Sequence, residues 1–88
     1  MTWELHLEGC QSLKDKRQVL RSLKDRLHNE LNVSVAETDH QDRWQRAELT
    51  ACVVSTDRTR AAEILRGADR LVERAPGARI LDSSTSYL

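Results

Sequence analysis

Val35-Ala36-Glu37-Thr38-Asp39-His40-Gln41-Asp42-Arg43-Trp44-Gln45-Arg46-Ala47-Glu48-Leu49 decides how this chain folds. Its two ends are apolar and β-prone. Its centre holds a His, two Asp, a Trp, two Gln and two Arg. Two β-prone runs around a short polar segment predict a hairpin. A mid-chain hairpin flanked on each side by one helix and one strand is the mark of a small α+β fold.

Upstream of the hairpin, Thr2 to Glu8 alternates, with Trp3, Leu5 and Leu7 on one face and Glu4, His6 and Glu8 on the other. That pattern predicts a half-buried strand. Ser12 then caps a helix, with Asp15 three positions on in a capping-box arrangement. Leu13, Val19, Leu20, Leu23, Leu27 and Leu31 form its apolar stripe, and the Lys and Arg residues are assigned to the other faces. The second strand is expected over Asn32 to Thr38, with Val33 and Val35 inward, and the third over Trp44 to Ser55. In the latter, Ala47, Leu49, Ala51 and Val53 face one way and Glu48, Thr50, Cys52 and Val54 the other.

Downstream, Asp57 is expected to cap a second helix from Arg58 to about Arg74, with Ala61, Ile64, Leu65, Ala68, Leu71 and Val72 as its stripe. Gly67 inside it costs ~1 kcal/mol relative to Ala and is read as allowing close packing on the sheet. Pro76-Gly77 stops the helix, and Arg79 to Leu88 is a weaker last strand at an edge. The order is βαββαβ. Right-handed crossovers place both helices on one face of a four-stranded antiparallel sheet of order 4-1-3-2, the ferredoxin-like fold. Its open face would carry Glu4, His6, Glu8, Glu48, Thr50 and Cys52.

Eighty-eight residues make one domain of this kind, spanning 1–88. With 39% hydrophobic, 32% charged and 3% aromatic residues, the core is expected from Leu, Val, Ile and Ala, thin enough for a homodimer to supplement it. The formal net charge is zero, so a nucleic-acid role needs a local basic patch. One exists: Lys14, Lys16, Arg17, Arg21, Lys24 and Arg26 outnumber Asp15, Asp25 and Glu30, whereas the hairpin is acidic. Cys10 and Cys52 have no metal-ligand spacing and read as reduced thiols. Neither a signal peptide nor an apolar run of ~20 residues is found, so a cytoplasmic protein without a membrane partner is expected.

The topology brings two polar motifs to one end of the domain. Ser12, Lys14, Lys16 and Arg17 at the first helix start would adjoin Asp39, His40, Gln41, Asp42, Trp44, Gln45 and Arg46 at the hairpin tip. Free helix N–H groups with three bases could hold an anion. Alternatively, the acidic tip could pair with those bases, at ~0–1 kcal/mol for each surface pair. Trp44 could stack a nucleobase, but is expected to pack over the helix start. Asp39, His40 and Asp42 lack a dry pocket for acid–base work, and no catalytic residue is assigned. His6 and Cys52 are read as neighbours on the open face, without the further ligands that zinc needs. No metal or cofactor is assigned.

Gln11 to Arg17, Leu31 to Glu37, Asp39 to Asp42, Trp44 to Arg46, and Val54-Ser55 with Asp57-Arg58 resemble the bacterial YlxP-like family, a domain-of-unknown-function group. The resemblance spans essentially the whole chain and implies the same ferredoxin-like fold. Members commonly have more strand ahead of the position of Trp3, so either the first strand is short here or its start is assigned late. The family's genes often sit among those for translation and ribosome maturation, which implies a ribosome- or RNA-linked role by association. The expectation is a non-enzymatic cytoplasmic protein that binds RNA or a ribosomal particle. The alternative is a homo-oligomeric module packing through its open sheet face or binding a small anion.

Overall fold

A computed structural model describes residues 1–88 as six elements in the expected order: β1 (Thr2–His6), α1 (Leu13–Leu31), β2 (Ser34–Asp39), β3 (Arg46–Cys52), α2 (Arg58–Glu73) and β4 (Arg79–Ser84). The sheet order is β2-β3-β1-β4 with every pair antiparallel, so this is the ferredoxin-like fold. Leu5 lies opposite Ala47 of β3 and Ile80 of β4, and Val35 of β2 lies opposite Ala51. Beyond β1, the ladder continues through the Met1 carbonyl, which accepts from the Ala51 N–H at 2.8 Å.

All four strands are shorter than their β-prone runs, β1 stopping at His6 rather than Glu8, and in the other three the local reason is visible. Asn32 closes α1 in the left-handed region (φ 54°), its N–H donating to the His28 carbonyl, so β2 cannot begin before the chain has turned. At the hairpin, His40 is also left-handed (φ 63°) and its carbonyl accepts from the Arg43 N–H. That tight turn uses up the residues before β3, which starts at Arg46 rather than Trp44 and ends at Cys52. In β4, pairing with β1 stops at Ser84, where the polar Ser-Thr-Ser run supplies nothing to bury.

Between the sheet and the helices, the alternation of the central strands buries Trp3, Leu5 and Leu7 with Ala47, Leu49 and Ala51. Leu20, Leu23 and Leu27 of α1 and Ala68 and Val72 of α2 close over them. Trp3 is completely buried, so one aromatic joins the expected aliphatic core. Its indole N–H donates to Asp69 Oδ1 on α2 at 2.9 Å, which removes the cost of burying that polar atom. Asp57 caps α2 by accepting from the N–H groups of Thr59 and Arg60.

Gly67 does not sit over the sheet as expected. A Cβ built there would meet Leu31 Cδ2 of α1 at 3.4 Å, so the close approach is between the helices. The neighbour is the end of a flexible side chain and can give way. Gly67→Ala is therefore expected to stabilise the protein by about 0.5–1 kcal/mol through helix propensity. Urea unfolding measures this, and a loss of stability would show that Leu31 cannot move.

Candidate functional site

The start of α1 and the hairpin tip do lie together. Gln45 fixes them: its side chain donates to the Cys10 carbonyl at 3.2 Å, and its own carbonyl accepts from the Leu7 N–H at 3.0 Å. The expected cap is also formed. Ser12 Oγ accepts from the Asp15 N–H, and Asp15 Oδ2 accepts from the Gln11 N–H. Ser12 is thereby engaged within the fold, as a cap.

Lys16 overturns part of the expectation. It was assigned to a solvent-facing side of the helix with the other bases, yet it is 2% exposed. Position 16 leads Leu20, Leu23 and Leu27 at intervals of four, seven and eleven, which is one helix face. Its stem lies in the apolar layer, while Nζ donates to the His40 carbonyl and sits 2.7 Å from Glu37 Oε2. The directed hydrogen bond goes to the carbonyl. The contact with Glu37, whose side chain is 20% exposed, is mainly charge against charge. The base that the tip engages is thus this internal one, and its acid partner lies in β2 rather than at the tip.

His40 is held from both sides of the sheet. Its carbonyl faces Lys16, and its ring Nε2 lies 3.2 Å from Glu4 on the open face. Glu4 also accepts from Arg46 Nη2 at 2.8 Å. That guanidinium hydrogen bond, aided by His40, holds the Glu4 carboxyl below its ordinary 4.5 against the opposing effect of burial. Asp39 accepts from the His40 N–H, and Gln41 donates to the Glu37 carbonyl. Nearby, burial first and then the Asp15 charge push the Cys10 thiol up, opposed by Lys16, leaving it a weak nucleophile.

Two expectations about neighbours are corrected. Trp44 is 52% exposed on the bend before β3, so it is not buried against the helix start. His6 lies opposite Arg46 whereas Cys52 lies opposite Ser34, at the other end of β3, so His6 and Cys52 are not adjacent. What α1 leaves open to solvent on this side is mainly basic, with Asp25 beside it. Lys14, Arg17, Arg21 and Lys24 recur along one side of α1, and none forms an ion pair. Arg17, Arg21 and Lys24 with Gln41 line a cleft of about 340 Å³ between α1 and β2, floored by Lys16 and Glu37. Spacings of four and three from Arg17 carry that stripe in the sequence.

Two outcomes are expected from this geometry. Lys16→Met leaves Glu37 without its cation and the His40 carbonyl without a donor. The loss is about 2 kcal/mol, below the usual figure for breaking a buried pair because Glu37 is partly wet. The double variant Lys16→Met/Glu37→Leu should recover most of it in urea unfolding, and no recovery would show that packing, not charge, dominates. For Glu4, a folded-state pKa below 4.5 means its carboxylate stabilises the fold above that pH and ceases to do so as pH falls through the folded value. Glu4→Gln should therefore cost about 1 kcal/mol at neutral pH, allowing for partial exposure. The difference from wild type should shrink as pH falls below 4.5 and through the lowered folded-state value, and a constant difference would contradict the assignment.

The family profile described as "Protein of unknown function (DUF503)" matches residues 1–85. The chain is also 35% identical, over 65 residues, to the "Uncharacterized protein YlxP" of Bacillus subtilis (strain 168), covering 74% of this chain and 71% of that protein. No helix here is long and apolar enough to cross a membrane. With its βαββαβ topology and a match across nearly all of its length, the chain belongs to the DUF503 family, the group of YlxP.

Proposed function

We propose that this is a non-enzymatic protein that binds RNA or an RNA-containing particle such as the ribosome through the basic side of α1. The observation that carries the reading is the row of Lys14, Arg17, Arg21 and Lys24, four cations on one helix side with no acidic partner. A chain of zero net charge has no general attraction for polyanions, so a sorted local stripe is what would supply one. The genomic company of the resembling family points the same way. The non-enzymatic part rests on how the tip is used: Asp39 and His40 are both engaged in contacts that shape the turn.

The alternative of a second copy packed on the open sheet face finds less support. That face carries Glu4, Arg46 and Glu48, and a chain of hydroxyls in which Thr50 contacts Thr2 at 3.1 Å and Thr38 at 2.9 Å. Thr38 also donates to Glu48 at 2.6 Å. Such a surface is already satisfied internally and offers little apolar area to bury.

The triple variant Lys14→Glu/Arg17→Glu/Arg21→Glu tests the proposal and leaves the internal Lys16 in place. Binding to ribosomal particles and to RNA, by co-sedimentation and fluorescence anisotropy at low salt, should be lost, while wild-type binding should fall steeply as salt is raised. Unchanged binding in the variant, or none in the wild type, overturns it.

A further inference from the structure

We propose that Trp44 is a stacking platform for an unpaired nucleobase, so that the RNA taken by this surface is single-stranded; this deepens the reading above and rests on it. The chain has three aromatic residues. Trp3 is buried and bonded to Asp69, and Arg58 covers the Tyr87 ring at 4.7 Å. Trp44 has neither kind of cover and is 52% exposed. Val54, Leu81, Tyr87 and Leu88 are exposed as well, but of the exposed large hydrophobics Trp44 alone lies on the hairpin tip, with a ring that no cation covers.

Its mounting favours binding over simple mobility. On one side, the His40 carbonyl is held by Lys16 and by the Arg43 N–H. On the other, Gln45 is tied to Cys10 and Leu7 by side chain and main chain. Trp44 therefore projects from a short span pinned at both ends, which lowers the entropy lost when a ligand stacks on it. Those anchors attach the span to the loop that leads into α1, the element bearing the cations. Lys14 to Lys24 covers about 15 Å of helix, enough for consecutive phosphates. Gln41 of the same turn lines one cleft with Arg17, Arg21 and Lys24, so the tip that carries Trp44 borders the basic track. An aromatic platform with a basic track is the combination that binds single strands with little regard for sequence. In a duplex the bases are stacked on one another, so Trp44 would gain nothing and only the phosphate contacts would remain.

The experiment uses the whole chain and an unstructured RNA of roughly 12 nucleotides, free or annealed to its complement. Anisotropy of a label on the RNA reports binding, and tryptophan emission reports stacking. The single strand should bind about tenfold more tightly than the duplex and quench the emission. Trp44→Ala should weaken single-strand binding about tenfold, abolish the quenching and leave the emission of the buried Trp3 unchanged, whereas Trp44→Phe should retain most of the affinity. If the single strand binds without quenching, and equally well to Trp44→Ala, the platform is overturned while the basic stripe stands. If no RNA binds, both are overturned.

Discussion

The ammonium of Lys16 is the constraint on which the polar end of the domain depends. Removing a cation from water costs several kcal/mol, and one anion does not reliably offset that. A leucine at position 16 would continue the stripe of Leu20, Leu23 and Leu27 at no such cost. What lysine does instead is reach across to a second element. Its Nζ joins Glu37 on the edge strand β2 to the carbonyl of His40, the residue that turns the hairpin. β2 has only Val35 and Glu37 facing inward along its length, so apolar packing alone would hold it weakly. A fixed charge contact sets its position against α1 where packing cannot.

A second set of contacts acts from the opposite face. Glu4 gathers Arg46 and the His40 ring on the open side, while Lys16 holds the His40 main chain on the helix side. The turn straddles the end of the sheet and is fastened through one residue in two directions. Left-handed backbone at a residue other than glycine is uncommon and persists where surrounding contacts determine it; here both sets converge on that residue. The same pairing consumes acids. Glu4 and Glu37 are engaged within the fold, and cations without an ion pair lie along both α1 and α2; those of α1 are the ones beside the hairpin tip.

Much of this architecture was legible in the sequence because it follows from period and capping. The alternation of Trp3, Leu5 and Leu7, the Ser12–Asp15 cap, the Asp57 cap and the stop at Pro76-Gly77 all appear as read. The misreadings share a cause. Lys16 was assigned by charge although its spacing placed it on the buried face, and a long aliphatic stem allows a lysine to lie there. Trp44 was assigned by β-propensity, although the turn at His40 takes up the residues that would have paired. His6 and Cys52 appeared adjacent because both face the open side, but they lie apart along β3. β1 and β3 run antiparallel, so His6 at the end of β1 meets the start of β3 while Cys52 lies at its far end; strand direction decides this, and a two-residue period does not show it.

Within Ser12–Arg17, structural and surface roles alternate almost residue by residue. Ser12 and Asp15 close the helix, and Lys16 fastens the hairpin; Lys14 and Arg17 touch no acid and are free for a partner. A helix permits this because successive side chains diverge by about 100°, so adjacent bases can face core and solvent respectively. The polar motif is therefore neither a self-paired surface nor a wholly open site. Its internal members close the helix and bring α1 and the tip together, and its external members stand outside those contacts. Cations without an ion pair also occur on α2, so what sets this cluster apart is their combination with a buried lysine. A cluster built only for binding would not bury its central lysine.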